Sequence, residues 1–297
     1  MTRAQTTLRT SVSIEGVGLH SGHPTRATFR PAPPDTSLVF LRLDRRRTAI
    51  PASLSSASTF DYATTLSAHG VSIGTVEHLL SAAAGEQLDN CLVEIDGPEV
   101  PILDGSALPF VQLFHAAGFE RQNASVRPLA PEREVTVEDG DRSIRFTPDG
   151  EALTITYEID FPHPFVGRQQ LTWIARPEDY AARIAPARTF GFLREVEALR
   201  ARGLARGGSL QNAVVLDDAG ILSGPLRFRD EFVRHKVLDL LGDLALLGRP
   251  LRGRIHARKA GHALHIELAR ALRAALEAPE SAPGEARPQA RRQNART

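Results

Sequence analysis

Strands first and helices later, twice over along 297 residues, predict two α+β domains with helices packed on one face of each sheet. Three observations carry this expectation. The length suits two domains at roughly 100–200 residues each. The hydrophobic fraction of 42% and charged fraction of 24% are those of an ordinary globular chain, which excludes general disorder, collagen and coiled coil. Each half also opens on β-branched or alternating apolar segments separated by turn residues, and only then turns helical.

In order, TLRTSVSI, TRATFRP and SLVFLRL read as strands, with Gly22, His23 and Pro24 among the turn residues between them. TVEHLLSAAAG reads as a helix capped at Thr75 and stopped at Gly85. NCLVEIDG returns to strand, and SALPFVQLFHAAG is a second helix ending at Gly118. Residues 120–132, polar with two prolines, read as a linker. EVTVEDG, SIRFTP, LTITYEIDF and QQLTWI are then strands, EVEALRARG a short helix and NAVVLDD a further strand. DEFVRHKVLDLLGDLALLG is the longest helical pattern, with Asp230 and Glu231 in its first turn and an end near Gly248. LRGRIHARKAG is the last strand and HALHIELARALRAAL the last helix. Residues 278–297, rich in Pro, Ala and Arg without hydrophobic periodicity, read as a disordered tail. The expected units are residues 1–122, residues 130–277 and that tail.

Charge and cysteine content narrow the function classes. Thirty-six basic against 35 acidic residues leave a net charge of +1, so no sequence-wide field points to nucleic acid or an anionic membrane. One cysteine, Cys91, excludes an internal disulfide framework and any multi-cysteine zinc site, and it reads as a small core residue. No apolar signal segment and no run of 18 apolar residues occurs, so a soluble cytoplasmic protein without stable membrane insertion is expected. No obligate protein partner is evident. Lys236 and Lys259 are the only lysines among the basic residues.

The sequence holds no GxxxxGK[ST] phosphate loop, no G-x-G-x-x-G, no GxSxG elbow and no HExxH. What remains is the long helix of the second half, where His235, Asp239 and Asp243 recur at i, i+4 and i+8 on roughly one face. A His and an Asp one turn apart supply two of the three protein ligands of a catalytic zinc, the third coming from elsewhere. An exposed His-Asp pair is the ordinary alternative. In TVEHLL, the adjacent Glu77 and His78 point about 100° apart, so His78 can ligate a metal while Glu77 reaches a water on it. The ordinary alternative there is an exposed Glu beside a partly buried His. In KAGHAL, His262 opens a helix, a poor place for a permanent positive charge unless a carboxylate such as Asp243 offsets it; otherwise it is a cap-region residue. The first two clusters together supply His78, His235, Asp239 and a non-ligand Glu77, the inventory a mononuclear metal hydrolase requires.

GTVEHLL, PEVPILDGSALPF, ARTFGF, FVRHKVLDLLGDL and KAGHAL, in that order, resemble the UDP-3-O-acyl-N-acetylglucosamine deacetylases, the metal-dependent amidases of lipid A biosynthesis in Gram-negative bacteria. The resemblance covers about residues 4–275. It implies two similar two-layer α/β sandwich domains with the active site between them, each carrying an insert. YATTLSAHGVS would belong to the first insert, and residues 193–216 to the second, which helps form an acyl passage. It implies His78, His235 and Asp239 as ligands of zinc, ferrous iron suiting the same set. Glu77 is implied as general base, and His262, oriented by Asp243, as cationic partner or proton donor. Thr189 is the implied oxyanion donor. Phe190 and Phe192 would line the sugar and acyl side, Lys236, His20 and Lys259 would face the diphosphate, and Asp160 and Phe161 would contact uridine. Some family members carry a cysteine just upstream of the first metal motif; Tyr62-Ala63-Thr64 offers none. Two other readings stay open: a metalloamidase acting on another acylated sugar nucleotide, and a non-catalytic binding module.

Overall fold

The computed structural model describes residues 2–277; the tail read as disordered lies outside them. The first half runs β1 (Arg3–Leu8), β2 (Val12–Val17), β3 (Pro24–Pro31), β4 (Leu38–Arg42), β5 (Thr48–Pro51), β6 (Ala57–Thr59), β7 (Thr65–Ala68), β8 (Val71–Ile73), α1 (Glu77–Gly85), β9 (Cys91–Ile95), α2 (Leu108–Ala117) and β10 (Phe119–Val126). The second runs β11 (Val135–Asp139), β12 (Arg142–Thr147), β13 (Leu153–Phe161), β14 (Gly167–Ile174), α3 (Pro177–Arg183), β15 (Phe190–Phe192), α4 (Leu193–Ala201), β16 (Val214–Asp217), β17 (Gly220–Ile221), α5 (Glu231–Ala245), β18 (Gly253–Arg258) and α6 (His262–Glu277).

The α+β expectation holds, and the halves repeat one topology. The sheets are β2-β3-β9-β4-β5 and β11-β12-β18-β13-β14. In each, the fifth strand lies between the second, to which it is antiparallel, and the third, to which it is parallel. In each, a helix precedes the fifth strand and another follows it. A three-stranded ribbon is also inserted after the fourth strand, β6-β7-β8 in one half and β15-β16-β17 in the other.

Alternation drives the sheets. Along β13, Leu153, Ile155, Tyr157 and Ile159 are buried while the residues between them are more exposed, so one face turns to the helices. In the first half, Phe29 meets Phe110 and Phe114 of α2 edge-on, with ring centroids 6.2 and 5.5 Å apart. The helix layers of the two halves pack against each other through α1 and α5. This crossing depends on one glycine. A Cβ on Gly242 would lie 2.1 Å from the carbonyl oxygen of Glu77, so only hydrogen lets α5 approach the start of α1.

Three sequence expectations change. TLRTSVSI is two strands in different sheets, β1 pairing with β10 and β2 with β3. The first half of the expected linker, residues 120–126, belongs to β10, whose polar alternation offers no apolar row to read. Thr75 does not cap α1: it has φ of 55°, and its Oγ1 donates to Glu99 Oε1 at 2.6 Å. A β-branched residue in that region costs on the order of 1–3 kcal/mol, and here it stands two residues before Glu77.

Candidate active site

α1 and α5 bring two distant sequence motifs together. Glu77 and His78 open α1, while His235, Asp239 and Asp243 follow one another along α5, and all five are buried. The ligand atoms of His78, His235 and Asp239 lie within 4.8 Å of one another. His235 Nε2 is 3.2 Å and His78 Nε2 3.8 Å from Asp239 Oδ1.

The protonation states of this trio follow from its surroundings. His235 Nδ1 lies 3.1 Å from the carbonyl oxygen of Ala187, which only accepts, so the ring's proton sits on Nδ1. Burial lowers the pKa of His235 against the pull of Asp239, leaving a neutral ring with its Nε2 lone pair facing the carboxylate. Burial, reinforced by His235, pushes His78 down to about 3, so it too is a neutral donor. Burial would raise Asp239, but His235 and Lys236 outweigh it and hold the group ionised. Two imidazole lone pairs and a carboxylate thus converge in a buried space. A divalent cation satisfies that arrangement, and the donor set fits.

Beside the trio lies a second network. Glu77 Oε2 accepts the backbone N–H of Thr64 at 3.0 Å, and burial pushes its carboxyl up to about 8 against the pull of His262. The Thr64 hydroxyl donates to Asp243 Oδ1 at 2.5 Å. Asp243 Oδ2 is 2.7 Å from His262 Nδ1 and 2.8 Å from His265 Nδ1. Burial would lower His262, but Asp243 outweighs it and raises the ring to about 9, so His262 is an imidazolium at neutral pH. Asp243, His262 and His265 also cluster tightly enough for a metal. A carboxylate oxygen accepting two N–H bonds, one from a charged ring, explains that cluster without an ion.

Of the other expected residues, Lys236 and Phe190 reach the trio directly. Thr189 is half-buried and its backbone is pinned by Gly105 and Val214, while its hydroxyl has no hydrogen-bond partner among the described residues. Phe161 packs on Phe190 and Phe192 with centroids 5.5 and 5.8 Å apart, and Phe190 lies 6.3 Å from His235. Both lysines are engaged: Lys236 Nζ donates to Asp239 Oδ2 at 2.9 Å, and Lys259 Nζ sits 2.9 Å from Asp141 and 3.3 Å from Asp160. Both ring nitrogens of His20 are buried with no hydrogen-bond partner, and burial lowers its pKa against Glu99.

Sequence reasoning missed Thr64, His265 and Tyr157. Tyr157 Oη lies 2.9 Å from His265 Nε2 and donates to the Ala260 carbonyl at 2.8 Å, closing the network behind Asp243. HALH places His265 nearly one helical turn after His262, which was a readable signal. Thr64 gave none, since its contacts span 13 and 179 residues of chain.

Comparison with known proteins agrees with the motifs. The family described as UDP-3-O-acyl N-acetylglycosamine deacetylase matches residues 5–274. The UDP-3-O-acyl-N-acetylglucosamine deacetylase of Myxococcus xanthus is 49% identical over 268 residues, covering 90% of this chain and 85% of its own. Those of Oleidesulfovibrio alaskensis and Marinobacter nauticus are 48% and 47% identical, covering 88% and 93% of this chain and 86% and 92% of theirs.

Proposed function

The chain belongs to the UDP-3-O-acyl-N-acetylglucosamine deacetylase family and hydrolyses the N-acetyl group of that sugar nucleotide in lipid A biosynthesis, and we propose that His78, His235 and Asp239 hold a zinc ion for the reaction. The observation that carries this reading is His235 Nε2 at 3.2 Å from Asp239 Oδ1, with the other nitrogen of that ring committed to Ala187. A lone pair facing a carboxylate calls for a cation between them. When bound, a divalent ion supplies a Lewis acid for the acetamide carbonyl and, by its charge, lowers the pKa of the attacking water and of Glu77. Ferrous iron would serve the same donors.

The chain's own residues divide the remaining work. The Glu77 carboxylate takes the proton of the attacking water, held in orientation by the Thr64 N–H. His262, kept cationic by Asp243, gives a proton to the departing amine. The free Thr189 hydroxyl donates to the oxyanion as it forms. The products are acetate and UDP-3-O-acyl-glucosamine.

On the substrate side, Phe161 stacks on uracil beside Asp160, and Phe190 and Phe192 line the sugar and acyl side. A cavity of about 200 Å³ beside α4 is lined by Phe192, Leu193 and Leu216 but also by Arg194, Glu197, Asp217 and Asp218, so it offers an acyl chain apolar contact over only part of its wall. Lys236, Lys259 and His20 face the diphosphate, and the lysines exchange their present carboxylates for phosphate oxygens. No described helix is long and apolar enough to cross a membrane, and the single buried free thiol suits a reducing cytoplasm. Metal analysis paired with acetate release tests the metal reading. Chelation should remove one ion per chain and the activity with it, and zinc should restore both. Acetate release that persists after complete metal removal would overturn it.

A further inference from the structure

We propose that the cavity at the C-terminal ends of α1 and α5 is a second ligand site, built for a single-chain amphiphile with an anionic head. The cavity measures about 410 Å³, within the range of small-molecule sites. Leu80 and Ala84 of α1, Leu241 and Leu244 of α5, and Trp173 of β14 give it an apolar wall. The side chains of this wall are already largely buried, and an aliphatic chain in the hollow would extend the same apolar packing.

The rim sets the head group. Arg3, Arg176, Arg249 and Arg252 border the cavity against only two carboxylates, Asp89 and Glu151. Arg3 is bridged to Asp89 at 2.6 Å, and Arg249 Nε donates to the carbonyl of Arg127. Arg176 and Arg252 are exposed, and their side chains have no hydrogen bond or ion pair among the described residues. Exposed guanidinium groups above an apolar hollow match a carboxylate or phosphate carried on an alkyl chain. A neutral lipid would leave the rim unused, and inorganic phosphate would leave the wall wet. Glu77, His78, His235 and Asp239 do not line this cavity, so it is separate from the reaction site and does not depend on the roles given to them.

Trp173 is the only tryptophan in the chain, which makes the wall its own reporter. The test is quenching of its fluorescence by monomeric ω-bromoundecanoate on the full-length, metal-loaded enzyme, since bromine quenches on contact. Saturable quenching is expected. The double change Arg176→Glu and Arg252→Glu should weaken it by about tenfold or more, as should replacing the probe by ω-bromoundecanol. Ala84→Phe should fill the cavity and abolish quenching; if that variant fails to fold, the surface arginine pair still decides the matter. The proposal is overturned if no saturable quenching occurs below the micellar threshold or if the double variant quenches like the wild type. Quenching seen only with vesicles of brominated phosphatidylglycerol would also overturn it, because it would mark a membrane contact in place of a pocket.

Discussion

The helix before the fifth strand holds the same place in both halves, α1 ahead of β9 and α5 ahead of β18, yet the two present their candidate site residues differently. α5 has 15 residues and carries His235, Asp239 and Asp243 through its middle turns, where neighbouring side chains hold each rotamer. α1 has nine residues and offers Glu77 and His78 at its very start, after a strained Thr75. The α5 stripe is aligned by its own periodicity. The α1 pair is aligned from outside, by Gly242 admitting its backbone and by Thr64 holding its carboxylate. A repeated framework thus carries a self-aligned motif in one half and a borrowed alignment in the other.

Substitutions on the two helices should separate these contributions. His235→Ala should strip the metal and reduce acetate release to background, whereas Glu77→Ala should keep the metal and lose about 10²–10⁴ in turnover. Metal analysis beside kinetics distinguishes them; a fully loaded His235→Ala enzyme would remove that residue from the ligand set.

The network behind the site predicts a pH profile. His262 is raised to about 9 in the fold, so activity requiring its imidazolium should persist through neutral pH and fall as pH rises through that value. Asp243→Ala removes the charge that holds the proton, so the alkaline limb should move to lower pH, toward or below the ~6.5 of free histidine. His262→Ala should lower turnover and abolish that limb while leaving the metal bound. An unchanged limb in this variant would assign it to another group.

Gly242→Ala probes the borrowed alignment directly. Its Cβ meets the Glu77 carbonyl, so we expect about 1–3 kcal/mol of destabilisation in denaturant melts and reduced turnover. Smallest is Thr64→Val, which keeps the N–H on Glu77 but loses the hydroxyl on Asp243. One net hydrogen bond of ~1 kcal/mol corresponds to about fivefold in turnover, with a modest shift of the His262 limb. Thr64→Ser should restore both, which a purely steric role for the threonine would not produce.

Local patterns made much of this protein readable before folding. Alternation along LTITYEIDF marks β13 to the residue, because a strand buried on one face must alternate. The His-Asp-Asp spacing shows one face of α5, because 3.6 residues per turn is a property of the chain itself. The motif series also pointed to the family. What sequence could not carry was convergence. β1 meets β10 across more than a hundred residues with no apolar row to announce the pairing. The shared order of the two sheets has no visible repeat in the residues. Thr64, β-sheet register and the close approach at Gly242 depend on which surfaces meet. Charge states depend on it as well: two histidines of the same type become a neutral donor at about 3 and an imidazolium at about 9, because burial prevails at one and is outweighed at the other by the carboxylates around it, Asp243 first among them. Periodicity is written in neighbours along the chain, whereas desolvation and Coulomb interaction act between neighbours in space, which exist only once the chain has folded.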